Sequence, residues 1–356
     1  MSHVIPLTGF LGAGKTTTVR ALAHYGESKR HRVAVVTNDQ DGDLIDTLVV
    51  ARSGRAVAEV TGGCFCCRYD DLRAALDHVA AQSAPRYILA ESVGSCTDLT
   101  ATVVRPLERD GGLGVGPLIA VVDPIRLLSI EAMSPSTRYL FERQLLDADL
   151  LAVNKCDLLS PASIATVAER LADVPARTIF YSARTGAGLA ELWNLATESR
   201  VARTTDLEID YDEYAAAEAE LAWLNRRFTL HSAKVISARD WNDAFLRSVA
   251  EHCTASDFEI GHVKVVVRRG ELLAKASLTH RDGAPQHDRT DLRHATAAVG
   301  IVNARVACEP DEVEALVERS MEAANRALDT QTQLLPGGGA FAPAAPQPTH
   351  RVLVAG

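Results

Sequence analysis

The sequence predicts an α/β fold, a mostly parallel sheet covered by helices on both faces, followed by a smaller C-terminal α+β domain of ferredoxin-like type. Three observations predict it. Over residues 1–200 short apolar strands alternate with amphipathic helices. The residues able to do chemistry fall at the carboxyl ends of those strands, where parallel sheets place their ligands. From about residue 226 the pattern changes to period-two alternation around a hairpin turn. With 356 residues the chain also exceeds one ordinary domain of about 100–200 residues. The expected division is 1–200, an acidic and helical connector 201–225, a second domain 226–330 and a flexible tail 331–356.

The first strand, Val4 to Thr8, runs into Gly9-Phe10-Leu11-Gly12-Ala13-Gly14-Lys15-Thr16. This fits the phosphate-loop pattern G-x-x-x-x-G-K-[ST] between an apolar strand and a helix. Glycines let the amides of Gly9, Gly12, Ala13 and Gly14 turn inward around phosphates, and those of Lys15, Thr16 and Thr17 open the helix there. The Lys15 ammonium suits the terminal phosphates, and the Thr16 hydroxyl suits Mg(II). The helix that follows, Lys15 to Tyr25, carries the stripe Val19, Leu22 and Tyr25.

A buried-strand run within Arg32 to Thr37 leads to Asn38 and Asp39, and a strand at Ala56 to Val60 leads to Gly62-Gly63-Cys64-Phe65-Cys66-Cys67. Thiolates are soft ligands for Zn(II) and related ions, and two glycines give the turn freedom to wrap one. Simple packing of buried cysteines and a strained disulfide between Cys66 and Cys67 are the competing readings. A helix at about 70–82 and a strand at Tyr87 to Ala90 follow, ending at Glu91. Glu91 and Asp39 are both candidates for the magnesium shell beside Thr16, against the alternative of solvated loop acids, and Asp41, Asp43 and Asp46 compete with Asp39. The next helix spans about 98–109, and Cys96 just before it reads better as a small packed residue than as a fourth thiol.

Strands at Leu118 to Val122, Leu150 to Val153 and Thr178 to Tyr181 alternate with helices at about 136–147, 161–172 and 188–199. Asn154-Lys155-Cys156-Asp157 follows the second of these strands. A carboxylate at Asp157 can accept from the ring N–H and the exocyclic amine of guanine, whereas adenine would leave it unpaired. After the third strand, Tyr181-Ser182-Ala183-Arg184-Thr185-Gly186 resembles the small-residue loop that backs the guanine ring in GTPases.

An acidic stretch from Asp206 to Glu213 leads into an Ala-rich helix, Tyr214 to Leu224, as connector. The second domain begins with a strand near Arg227 to His231 and a helix near Ala238 to His252. Val263, Val265 and Val267 then pair across the Arg269-Gly270 turn with Leu272, Ala274, Ala276 and Leu278, and a strand near Val299 to Val306 precedes a helix opened by Pro310. His280, His287 and His294 recur every seven residues, but Gly283 and Pro285 favour a mobile polar loop over a helix. Residues 336–348, rich in Gly, Ala and Pro, are expected to be flexible.

A net charge of -9 argues against nucleic acid and anionic membranes as partners, since both need a basic surface. With no long apolar run and no leader-like N-terminus, a cytoplasmic setting is expected. Seven cysteines, crowded and odd in number, suit thiols better than disulfides.

Gly9 to Thr17, the C-x-C-C of Cys64 to Cys67, Glu91-Ser92-Val93-Gly94 and Asn154 to Asp157 together resemble the CobW family of metal-handling P-loop GTPases, related to the nickel-delivering GTPases of urease and hydrogenase. Where many relatives have Asn-Glu-Phe-Gly and Thr-Ser-Gly, this chain has Asn38-Asp39-Gln40-Asp41-Gly42 and Ser92-Val93-Gly94. The resemblance implies hydrolysis of GTP with Mg(II), and a transition metal, zinc first with cobalt or iron as alternatives, carried on Cys64, Cys66 and Cys67. It implies a client metalloenzyme as partner, with a homodimer as a further option. The alternative is a GTP-controlled protein-binding module with a structural zinc site.

Overall fold

The computed structural model describes residues 1–38, 55–198, 200 and 205–354. The chain divides into two compact units, residues 1–215 with the C-terminal segment from Pro346, and Ala216–Ala345.

The first unit is built on strands β1 (His3–Thr8), β2 (Val33–Asn38), β3 (Val57–Val60), β4 (Tyr87–Glu91), β5 (Gly114–Val115), β6 (Ile119–Val122), β7 (Leu150–Val153) and β8 (Arg177–Phe180). Their order is β3-β2-β4-β1-β6-β7-β8, with β5 beside β1, and every pairing is parallel. Parallel strands buried on both faces cannot alternate polar and apolar residues, which is why β2, β4, β6 and β7 are buried at every position. Ile5, Leu7, Val35, Leu89, Val121 and Ala152 meet Val19 and Leu22 of the helix Lys15–Ser28 and Leu192 and Trp193 of the helix Leu189–Ala196 in one core.

The helices Tyr69–Ser83, Pro135–Asp147 and Pro161–Arg170 stand where the periodicity predicts them. Ser134 and Ser160 cap the last two, each followed by Pro at the first helical position. The helix expected over 98–109 opens instead as a π turn, Thr100–Val104, and becomes regular only at Arg105–Asp110. The Asp147 carboxylate accepts the Leu99 and Thr100 N–H groups at 2.6 and 3.2 Å, meeting donors that a helix start leaves open.

The second unit is an antiparallel sheet of β9 (Leu221–Ser237), β10 (Glu259–Arg269), β11 (Leu272–Leu278), β12 (Gln286–Thr290), β13 (His294–Ala307), β14 (Gln331–Leu334) and β15 (Gly339–Phe341), in the order β12-β11-β10-β13-β9-β14 with β15 also on β9. Trp241, Phe245, Leu246 and Val249 of the helix Ala238–Ala255 and Val313, Leu316, Val317 and Met321 of the helix Pro310–Leu328 bury one core with Phe228, Val263, Val265, Ala276 and Val302 of the sheet.

Three expectations are corrected in this unit. The connector helix spans Tyr211–Ala219, and Leu221 to Leu224 already belong to β9. The histidine region is only in part the expected polar loop: His280 lies in the turn between β11 and β12, but His287 lies in β12, where its Nε2 meets Asp243 Oδ1 at 2.9 Å, and His294 starts β13. The flexible tail expected from residue 331 instead begins with β14 and β15 on the edge of β9.

Gly300 of β13 sits across from Phe228, and a Cβ there would lie 2.0 Å from Phe228 Cζ. Gly300→Ala must displace a fully buried ring. Its expected cost is about 1–3 kcal/mol, read as a lower urea midpoint with an unchanged m-value.

Candidate functional site

Gly9, Gly12 and Gly14 hold positive φ values of 136, 77 and 94°, so the chain after β1 curls back on itself before the helix begins at Lys15. Gly14 must stay bare, because a Cβ would come 2.5 Å from Asn154 Nδ2. Lys15 is nearly buried, and its Nζ donates to Gly9 O at 2.7 Å, closing the loop over its own side chain. The Thr16 hydroxyl donates to Glu91 Oε1 at 2.7 Å. Glu91 ends β4, pairs in register with Leu7 of β1 and Thr37 of β2, and is buried. The two oxygen donors meet at the strand tips and suit a hard divalent cation. Asp39, with Asp41, Asp43 and Asp46, lies outside the described residues. Thr17 is part of the same first helical turn.

The second motif closes on the first. Asn154 Nδ2 donates to Ala13 O at 3.1 Å while its Oδ1 accepts from the Ala183 N–H at 3.0 Å, so one side chain ties the phosphate loop to the segment after β8. Lys155, at φ 59°, donates to Gly12 O at 2.9 Å and pairs with Asp123 Oδ2 at 2.7 Å. Asp123 escaped the sequence reading: ahead of Pro124 it looks like an ordinary helix cap, and it does cap Pro124–Leu128 through Ile125 N–H at 3.0 Å. Asp157 takes the Arg184 guanidinium. Burial raises the carboxyl's pKa, but hydrogen bonds from Ser182 and Arg184 outweigh that, and it is held below the usual carboxylate range. Tyr181, wholly buried, shares a 2.6 Å hydrogen bond with Thr18.

The cysteine turn is clamped to the same sheet. Asn38, the last residue of β2, donates through Nδ2 to Val60 O at 3.1 Å and Gly63 O at 2.7 Å, and its Oδ1 accepts from Phe65 N–H at 2.8 Å. Cys67 N–H and Arg68 N–H then return to Cys64 O at 3.1 and 2.9 Å, a tight turn that brings the three sulfurs together. Sγ separations are 2.6 Å for Cys64–Cys66, 3.2 Å for Cys64–Cys67 and 3.8 Å for Cys66–Cys67. The sulfurs face one another, and no disulfide links them. Hydrogen bonds from Cys66, Cys67 and Cys96 favour the Cys64 thiolate and hold its pKa well below the ordinary thiol value. The same contacts hold the proton on Cys66, whose pKa is raised, while Cys67 is pushed up to about 11, chiefly by Cys64.

Two features run against expectation. Cys96, wholly buried, is not merely a packed small residue, since its thiol lies within hydrogen-bonding reach of both Cys64 and Cys66. The last residues, expected to be flexible, lie along the cysteine turn: Gln347 N–H donates to Cys67 Sγ at 3.1 Å and Thr349 N–H to Cys66 O at 3.1 Å. The His350 ring meets Tyr69 edge-on at 4.8 Å, and Arg351 pairs with Asp98 at 2.8 Å. Composition hides this, because the segment docks through backbone N–H groups rather than an apolar stripe.

Among the described residues no helix is long and apolar enough to cross a membrane. The model of the CobW/HypB/UreG nucleotide-binding domain matches residues 3–182. Zinc chaperone YeiR of Escherichia coli is 32% identical over 171 residues, covering 46% of this chain and 49% of that protein. Zinc chaperone CobW of a Sinorhizobium species is 26% identical over 199 residues, covering 48% and 55%. The chain spans about half the length of the curated relatives it matches. Among solved structures, Zn(II)-bound YjiA GTPase from E. coli shares 15% identity at a TM-score of 0.38, covering 89% of this chain and 98% of that one. HypB from Helicobacter pylori in complex with nickel shares 18% at 0.39, covering 54% and 84%.

Proposed function

The chain belongs to the CobW/HypB/UreG family, whose nucleotide-binding domain matches just over half of it, and on that footing we propose that it is a Mg(II)-dependent GTPase that loads zinc on Cys64, Cys66 and Cys67 and hands it to a client metalloenzyme. One observation carries the reading. Asn38, which clamps the cysteine turn, follows Thr37, and Thr37 is the residue paired across the sheet with Glu91, the acid that takes the Thr16 hydroxyl. A change at the Thr16–Glu91 end therefore has a short, hydrogen-bonded route to the sulfurs.

In this proposal the amides of Gly9, Gly12, Ala13 and Gly14 cradle the phosphates, and the Lys15 ammonium leaves its carbonyl partner to meet the terminal one. Thr16 and Glu91 would hold Mg(II), which supplies charge neutralisation when bound. Asn154 and Ala183 shape the base pocket, with Asp157 reading guanine and Lys155, fixed by Asp123, covering the loop. Zinc is cargo here, with cobalt and iron as the next candidates. The thiol turn suits a soft ion: a tetrahedral zinc site with Zn–S bonds of about 2.3 Å spaces its sulfurs about 3.8 Å apart, the separation Cys66 and Cys67 already have, so Cys64 must draw back from both.

The test is a zinc competition titration with the protein loaded with a GTP analogue or with GDP, repeated for Cys64→Ser, Cys66→Ser and Cys67→Ser. A carrier holds zinc more tightly in one nucleotide state. Equal affinity in both leaves only a structural zinc site on a nucleotide-controlled binding module.

Base choice gives a separate prediction. Asp157→Asn turns an acceptor into a donor where guanine offers its amine, and so favours xanthine, which carries a carbonyl there. GTP affinity should fall by about 10²-fold while XTP gains, with ATP unimproved. Equal affinities for GTP and ATP in the unaltered protein would remove the guanine reading.

A further inference from the structure

Cys96 stands on the loop that follows β4, four residues beyond the start of the run Ser92-Val93-Gly94-Ser95. That loop is held tightly. Ser92 N–H donates to Leu7 O at 2.9 Å, Cys96 N–H to Val93 O at 3.2 Å, and Gln144 Nε2 to Gly94 O and Cys96 O at 2.8 and 3.0 Å. A Cβ on Gly94 would come 2.6 Å from Leu11 Cδ2, so the loop also lies directly against the phosphate loop. The Cys96 side chain is wholly buried and points at the Cys64 and Cys66 thiols.

We propose that Cys96 is the fourth ligand of the metal, closing a four-sulfur cage with Cys64, Cys66 and Cys67. The inference deepens the metal reading above and rests on it. Three residues of one tight turn can supply three corners of a tetrahedron, but the fourth must come from outside that turn. Cys96 is a buried sulfur donor within hydrogen-bonding reach of Cys64 and Cys66 but outside the group of three sulfurs that lie within 4.8 Å of one another, so the cage closes by drawing Cys96 and Cys67 together around the ion. Its place in the chain gives it a second property that no residue of the C-x-C-C turn has. Glu91 takes the Thr16 hydroxyl at 2.7 Å and Cys96 follows five residues later on a short, braced loop. A shift of Glu91 on nucleotide exchange moves a metal ligand directly, and the ion is gripped or loosened by one sulfur in four.

X-ray absorption on the zinc-loaded, reduced, full-length protein counts the sulfurs. The expected result is four Zn–S bonds of about 2.3 Å. In Cys96→Ser the count falls to three with one oxygen, and the thiolate-to-metal band of the Co(II) form loses about a quarter of its intensity. Cys253→Ser, whose sulfur is buried in the core of the second unit, keeps the whole band. A count of three or fewer in the unaltered protein overturns the proposal even if the Cys96 variant fails to fold. So does a Cys96→Ser band that matches the unaltered one, or a Cys253→Ser band that falls as far. Zinc bound through three sulfurs ends this inference alone, whereas no zinc bound at all ends it together with the metal reading.

Discussion

If the proposed GTPase reading holds, Lys15→Ala is expected to lower GTP turnover by about 10²–10³-fold, the loss that follows removal of one preorganised charge from the reacting centre. The size follows from geometry. Lys15 stands at the mouth of the phosphate loop, and its ammonium donates to Gly9 O at 2.7 Å and Phe10 O at 3.5 Å, carbonyl partners that it can exchange for the stronger acceptor oxygens of a triphosphate. Lys155, the nearby ammonium, cannot substitute. It is committed to Asp123 Oδ2 and Gly12 O, and moving it would leave the mostly buried Asp123 carboxylate without its ammonium. Lys15→Arg should not rescue, since a planar fork cannot replace a compact ammonium inside a loop of this radius. Single-turnover hydrolysis separates the outcomes: a variant that still binds nucleotide but turns over within a few-fold of the unaltered protein would remove Lys15 from the chemistry.

Much of this site can be read in the sequence because each part has a local cause. The phosphate loop needs glycine where φ is positive, the strands of the first unit must be apolar on both faces, and three cysteines in one turn cannot avoid one another. What escaped reading depends on contacts distant in the chain. Asp123 looks like a cap because it is one, and only the fold brings Lys155 to its other oxygen. Leu221 to Leu224 read as the end of an Ala-rich helix because a short run buried on both sides has no period to distinguish helix from strand. The strand β12, Gln-His-Asp-Arg-Thr, has a polar edge that gives no apolar alternation, and charge is what an exposed edge uses to avoid further pairing. Cys96 was weighed as a fourth thiol, but nothing local in the sequence says which sulfurs it meets.

If the cysteine turn holds the proposed zinc, its affinity is tied to protons, with a definite sign. Without metal, Cys64 already favours the thiolate, whereas Cys66 is raised and Cys67 is pushed up to about 11, so near neutral pH these two keep their protons. Zinc takes only thiolates, and its binding must displace both protons. Displacing the protons of Cys66 and Cys67 makes affinity climb by about 100-fold per pH unit between about pH 6 and 8.5, and a fourth sulfur from Cys96 would add its own proton to that slope. Stability of the metal-free protein moves the other way. A thiol whose folded pKa lies above its unfolded value near 9 stabilises the fold below that value, and the stabilisation is lost as pH rises through 9 toward about 11. Alkaline conditions thus weaken the empty protein while strengthening its hold on zinc, and added metal should raise the melting temperature most at high pH. Calorimetric titration in two buffers of different ionisation enthalpy counts the released protons. A count of zero would mean that all the sulfurs are thiolates before the ion arrives, and a count that survives Cys67→Ser unchanged would move the second proton to another residue.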